Sequence, residues 1–164
     1  MSPLRATALV ATIAAVTLVP SAALAAEVEG SGTIRPLEPG HCERLPAPSP
    51  LVREDCAGVR ETFRGMLRST AAATVAQRSW FDVANSRSWF SGTERFVGCI
   101  DTRCGALTFR VRGSFVADLS SSTLRGRRTL VVTGGSGGLA GTTGTIVERF
   151  GHGAGYVATM RLRG

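Results

Sequence analysis

The chain has 164 residues, 43% of them hydrophobic, and carries 19 basic against 12 acidic side chains for a formal charge of +7. That length suits one hydrophobic core and excludes two domains of ordinary size. Every basic residue is Arg. The cationic balance favours anionic partners, yet no aromatic residues interleave with an Arg cluster, so nucleic acid is not an expected partner.

The first thirty residues, MSPLRATALVATIAAVTLVPSAALAAEVEG, have Arg5, an apolar run from Ala6 to Val19, Pro20, and the small-residue step Ala23-Leu24-Ala25. This order predicts a secretory signal peptide over 1–25 with cleavage after Ala25. The uninterrupted apolar run is shorter than the roughly 20 residues a membrane span needs. The expected mature chain, 26–164, has 139 residues (164 minus 25), with 18 Arg against 12 carboxylates and a charge of +6. It is expected to be secreted and to carry no membrane span after cleavage.

Residues 26–57 are proline-rich, with Pro36, Pro39, Pro46, Pro48 and Pro50, and predict an irregular arm. The cysteines are Cys42, Cys56, Cys99 and Cys104, an even count that reads as two disulfides in an oxidising compartment. Three pairings are possible in principle. Cys99 and Cys104 flank IDTR, a hairpin-length spacing, and Cys42 and Cys56 would then tie down the arm. A zinc site using His41 beside Cys42 lacks paired C-x-x-C spacing, so no metal is expected.

From residue 58 onward, short segments rich in Val, Thr, Phe and Arg alternate with Gly, Ser, Asn and Asp, the texture of an all-β antiparallel domain over 58–164. Strands are expected near 60–68, 72–80, 87–98, 105–116, 126–133, 143–150 and 155–163, although the alanines of 69–78 also suit a helix. Alternate side chains share a face. Glu61 goes with Phe63, Glu94 with Phe90 and Phe96, and Glu148 with Ile146 and Phe150; Leu107, Phe109 and Val111 share a face, as do Tyr156, Ala158 and Met160. Most strand arginines fall on the opposite face. The expectation is a cationic outer face and an apolar inner face bearing three carboxylates.

The segment TLVVTGGSGGLAGTTGTI, 129–146, contains Gly135, Gly137 and Ala140 at dinucleotide-loop spacing. No helix-forming sequence follows, and too few residues remain for a crossover and a ribose-binding acid. The glycines fit a corner between strands instead. LRGRRTLVVTGGSGGLAGTTGTIVERF followed by GYVATMRL resembles the C-terminal half of the allene oxide cyclase-like barrels, a group that includes dirigent proteins. GTERFVGCIDTRCGALTFRVRGSF is similar to their preceding hairpin, with the two cysteines as an addition. The resemblance covers roughly 59–163 and implies a single antiparallel eight-stranded barrel that can hold an apolar small molecule, with no cofactor. It also implies the possibility of cofactor-free isomerase or cyclase activity and of a homo-oligomer. The group's catalytic residues lie outside the glycine motif and map onto no position here.

A Glu on an apolar inner face is desolvated, and its pKa rises toward values useful for proton transfer. Glu94 and then Glu148 are the candidate catalytic groups. Glu61, Phe63, Phe96, Phe109 and Tyr156 are the candidate ligand-binding residues. Trp80, Phe81 and Trp89 are expected as core plugs or lid anchors near FDVANSR, and His41 and His152 form no hydrolase triad. The alternative function is a non-catalytic secreted module that binds anionic surfaces or polymers through its Arg-rich outer face.

Overall fold

A computed structural model describes residues 26–38, 40–118, 123–151 and 155–163; the expected signal peptide and His152 lie outside the described residues. Nine strands follow in chain order: β1 (Ala26–Glu38), β2 (His41–Leu45), β3 (Leu51–Gly65), β4 (Leu67–Asp82), β5 (Arg87–Ile100), β6 (Arg103–Asp118), β7 (Thr123–Gly137), β8 (Thr143–Phe150) and β9 (Gly155–Leu162). They form one antiparallel sheet in the order β1-β9-β8-β7-β6-β5-β4-β3-β2, and an additional β1–β3 pairing closes eight of them into a ring. β2 extends the edge of β3 outside that ring.

The closure corrects the expectation of an irregular arm. Val28, Gly30, Gly32 and Ile34 alternate with exposed neighbours in β1, which pairs with β9 over Ala26–Thr33 and with β3 from Gly32 to Glu38. Pro36 is opposite Glu61 of β3, where β1 has left β9 and beside a register shift against β3, a setting in which a strand tolerates proline. Among the described residues of 26–57, Gly40 and the Pro-rich connection 46–50 lie outside the strands. The alanine-rich segment that also suited a helix belongs to β4, where Ala73 and Val75 are fully buried.

Both disulfides join directly opposite residues: Cys42 with Cys56 across β2–β3, and Cys99 with Cys104 across β5–β6. The inner face is filled by Phe63, Phe96, Leu107, Phe109, Leu130, Ile146 and Met160, each at most 1% exposed. Phe63 meets Phe96 edge to face with ring centroids 5.5 Å apart.

The glycine segment contains no helix. β7 runs on to Gly137, with Gly134–Gly137 paired to Gly105–Thr108 of β6, so the turn starts later than the sequence suggests. Successive turn hydrogen bonds, from Ala140 N–H to the Gly137 carbonyl (3.1 Å) and from Thr142 N–H to the Leu139 carbonyl (3.2 Å), close residues 138–142. They tuck Leu139 into the core at 0% exposure. Gly144 has φ +142, and a Cβ there would overlap the Thr159 carbonyl oxygen, whereas a Cβ at Gly134 meets nothing within 4 Å.

Gly144→Ala is therefore expected to cost about 2–4 kcal/mol from backbone strain and overlap, and Gly134→Ala to stay within about 0.5 kcal/mol of the parent. Urea unfolding of the two variants checks this, and equal stability would contradict the role given to Gly144.

Candidate functional site

The sequence places one ionisable residue on the inner face of each of four strands: Glu61 on β3, Glu94 on β5, Arg128 on β7 and Glu148 on β8. All are at most 5% exposed. Arg128 and Glu148 are directly opposite one another across β7–β8. The guanidinium donates to Glu148 through both Nε and Nη2, the latter to Oε1 at 2.9 Å, and Nη2 also donates to Glu61 Oε1. β3 and β7 are four strand steps apart in either direction around the ring, so this last bond crosses the interior. Glu94 Oε2 lies 3.6 Å from Arg128 Nη2, and neither Glu94 oxygen has a hydrogen-bond partner among the described residues.

One guanidinium cannot neutralise three carboxylates in a dry interior, where an unpaired charge is costly. Burial pushes the Glu94 carboxyl well above its ordinary value, and repulsion from Glu61 adds to this. A proton retained by Glu94 converts one oxygen into a donor toward the neighbouring Glu61 carboxylate. Burial likewise raises Glu148 to about 7 despite the attraction of Arg128. Burial would lower the Arg128 pKa, but Glu94, Glu61 and Glu148 outweigh it and hold the guanidinium charged. The cluster is chemically a proton store: an acid, a group poised near neutrality, and a fixed cation.

Toward the end of the ring formed by the β4–β5 hairpin, the next inner-facing side chains are aromatic. Phe90 stacks on Phe115 with centroids 5.0 Å apart, Phe150 meets Phe115 edge to face at 5.1 Å, and Arg128 lies 5.7 Å from the Phe150 centroid. A Cβ at Gly113 would overlap the Phe90 ring, so that glycine makes room for the stack. Beyond these rings a largely apolar concavity of about 290 Å3 is lined by Phe81, Val83, Ser88 and Ala117, with Asp82, Ser86 and Arg87 at its rim.

The three glutamates singled out in the sequence thus come together, and around a residue that sequence reasoning missed. Arg128 shares its parity with Leu130 and Val132, which was the available signal, but Leu130, Val131 and Val132 are all apolar and hide the alternation. Phe63, Phe96, Phe109 and Tyr156 lie in the packed core instead of lining the concavity. The Tyr156 hydroxyl is engaged by the backbone: it accepts from Leu67 N–H at 2.8 Å and donates to the Arg64 carbonyl at 3.2 Å. Trp80 and Trp89 form a cross-strand pair, while Phe81 borders the concavity. Cys42, Glu54 and Cys56 place ligand-type atoms within 4.8 Å of one another, but the two sulfurs are bonded to each other and offer no thiolate to a metal.

The proton store sets a pH dependence. Unfolded, Glu148 and Glu94 ionise near 4.5; folded, Glu148 does so at about 7 and Glu94 well above its ordinary value. The folded protein therefore holds more protons than the unfolded chain above that lower value, and stability falls as pH rises from 4.5 through 7. Urea unfolding should give a higher midpoint at about pH 5 than at about pH 8, and Glu94→Gln, which keeps the shape without the titration, should flatten the slope. A profile that rises with pH would contradict the cluster as described. Arg128→Met should cost about 3–5 kcal/mol where the carboxylates are ionised, and less in acid.

The family profile described as "Protein of unknown function (DUF3224)" matches residues 47–160, a span that contains Glu61, Glu94, Arg128 and Glu148 but begins after β1 and β2. The solved structure of a protein with unknown function from the DUF3224 family of Shewanella oneidensis MR-1 superimposes with a TM-score of 0.59. It is 18% identical and the match covers 86% of this chain and 98% of that one, a likeness of fold. No curated protein matches the chain. With the profile covering more than half of its length, the chain belongs to the DUF3224 family.

Proposed function

We propose that this is an exported barrel protein that binds a small apolar molecule at the mouth of its strand ring. The observation that carries the proposal is the concavity of about 290 Å3 beside the β4–β5 hairpin and the end of β6. Ligand pockets commonly begin at roughly 300 Å3 and favour the mouths of barrels. The lining residues Phe81, Val83 and Ala117 give the concavity an apolar wall suited to an apolar ligand. Asp82 and Arg87 at the rim offer polar groups to orient it. Export is supported by the leader-like N-terminus and the two disulfides.

The finer assignment, an allene oxide cyclase-like barrel, is supported by the closure of eight antiparallel strands and by the glycine corner before β8. On that assignment the reaction is a cofactor-free isomerisation or cyclisation. Glu148 is one inner-facing position below Phe150, about 7 Å along the strand. With a pKa of about 7 it can both give and take a proton near neutrality, and Glu94 supplies the reserve proton.

Two-dimensional NMR titration with naphthalene tests the binding site. Saturable shifts are expected at Phe81, Val83, Ser88 and Ala117, and Ala117→Trp, which fills the concavity, should abolish them. Absence of saturation, or shifts unaffected by Ala117→Trp, would contradict the proposal.

A further inference from the structure

The outer face divides by charge. On the side built from β1 to β4 and β9, arginines with carboxylate neighbours predominate: Arg44 with Glu54, Arg53 and Arg78 with Asp55, Arg60 with Glu38 and Arg161 with Glu27. The exposed Arg35, Arg64 and Arg68 of that side form no ion pair among the described residues. On β5 to β8 the exposed arginines are Arg87, Arg95, Arg110, Arg112, Arg125, Arg127 and Arg149, and none forms an ion pair among the described residues. Glu94 and Glu148, the carboxylates in the middle of these strands, both point inward.

The strand register turns these arginines into a diagonal band. Arg112 of β6 neighbours Thr129 of β7, and Ser114 of β6 neighbours Arg127 of β7, which stands directly opposite Arg149 of β8. Like charges directly opposite in a sheet are destabilising, so the Arg127–Arg149 pair costs stability in the free protein and is relieved by an anion. A groove of about 260 Å3 runs beside that pair, lined also by Thr145, Thr159, Val147 and Val157. At the other end of the same cross-strand row, Trp89 is paired with Ser114 and is 42% exposed. The row from Trp89 through Ser114 and Arg127 to Arg149 spans three strand spacings, about 14 Å.

We infer that this face binds an acidic polysaccharide. Fixed guanidinium forks suit carboxylate or sulfate groups bidentately, the threonine and serine hydroxyls suit sugar hydroxyls, and an exposed indole face packs against the apolar face of a pyranose ring. A single-stranded nucleic acid calls for aromatic platforms repeated along the basic track, whereas here the tryptophans, Trp89 and its neighbour Trp80, stand together at one end of it. A lipid surface is flat, and the band follows the curved outside of a closed ring. This inference is independent of the mouth concavity, which opens on the inner face.

The test is equilibrium binding of the full chain to heparin and to polygalacturonate over a salt series, with a thymidine oligonucleotide and phosphatidylglycerol vesicles as competing probes. Arg127→Ser/Arg149→Ser is expected to lose about tenfold or more in affinity at about 0.1 M salt and to reduce the log–log salt slope by about two. Trp89→Ala should weaken binding with the slope unchanged, and Arg60→Ser/Arg161→Ser should leave affinity within about twofold. Arg112→Ser provides a second variant on the band if the double variant is poorly folded. Equal losses from both arginine pairs would reduce the effect to net charge and overturn the inference. Tighter binding to the oligonucleotide or the vesicles than to either polysaccharide would overturn it as well.

Discussion

The guanidinium of Arg128 reaches from β7 across the ring to Glu61 on β3 while it holds Glu148 on the adjacent strand. An ion pair in a dry interior is not in itself a source of stability, because desolvation offsets the attraction. Its effect here is on geometry. The length of one extended arginine fixes the separation of opposite walls at that level, and breaking either end would strand an uncompensated charge. For the third carboxylate, Glu94, burial and the neighbouring Glu61 favour the protonated form, which lowers the cost of placing it in the same layer. The strand ring and the protonation state are therefore parts of one arrangement.

That polar layer divides the inner volume. On one side Phe63, Phe96, Leu107 and Phe109 pack with almost no exposure; on the other, Phe90, Phe115 and Phe150 pack against one another. The concavity opens at the end of the ring that carries the β4–β5 hairpin, and the Arg128 cluster lies further inside. The Arg128 side chain links this cluster to the three phenylalanines through its contact with the Phe150 ring. The exposed arginines of β5 to β8, without ion pairs among the described residues, lie on the opposite surface of the same strands. One alternation of side chains builds both surfaces.

Much of this was legible in the sequence because a strand has a period of two. The parity of Glu61, Glu94 and Glu148 with their aromatic neighbours placed all three inside, and the glycines of 134–144 argued against a phosphate-binding helix. What escaped was non-local. Arg128 was hidden by three consecutive apolar residues, and its partner Glu61 is 67 positions away. β1 was masked by Pro36, which lies beyond the end of the β9 pairing and beside a register shift against β3. The mouth concavity is assembled from the ends of β4, β5 and β6, and no single segment carries a pattern for it. The candidate ligand residues were read correctly as inward-facing, but facing inward in a filled ring means packing.

The central claim is that one guanidinium holds two carboxylates across the ring and forces the third to remain an acid. Carbon-detected NMR titration of the glutamate side-chain carboxyls, assigned with Glu94→Gln, measures this directly. The account predicts that the Glu94 carboxyl keeps the chemical shift of a protonated acid through neutral pH while exposed glutamates titrate in the ordinary carboxylate range. A Glu94 that titrates along with them would contradict it.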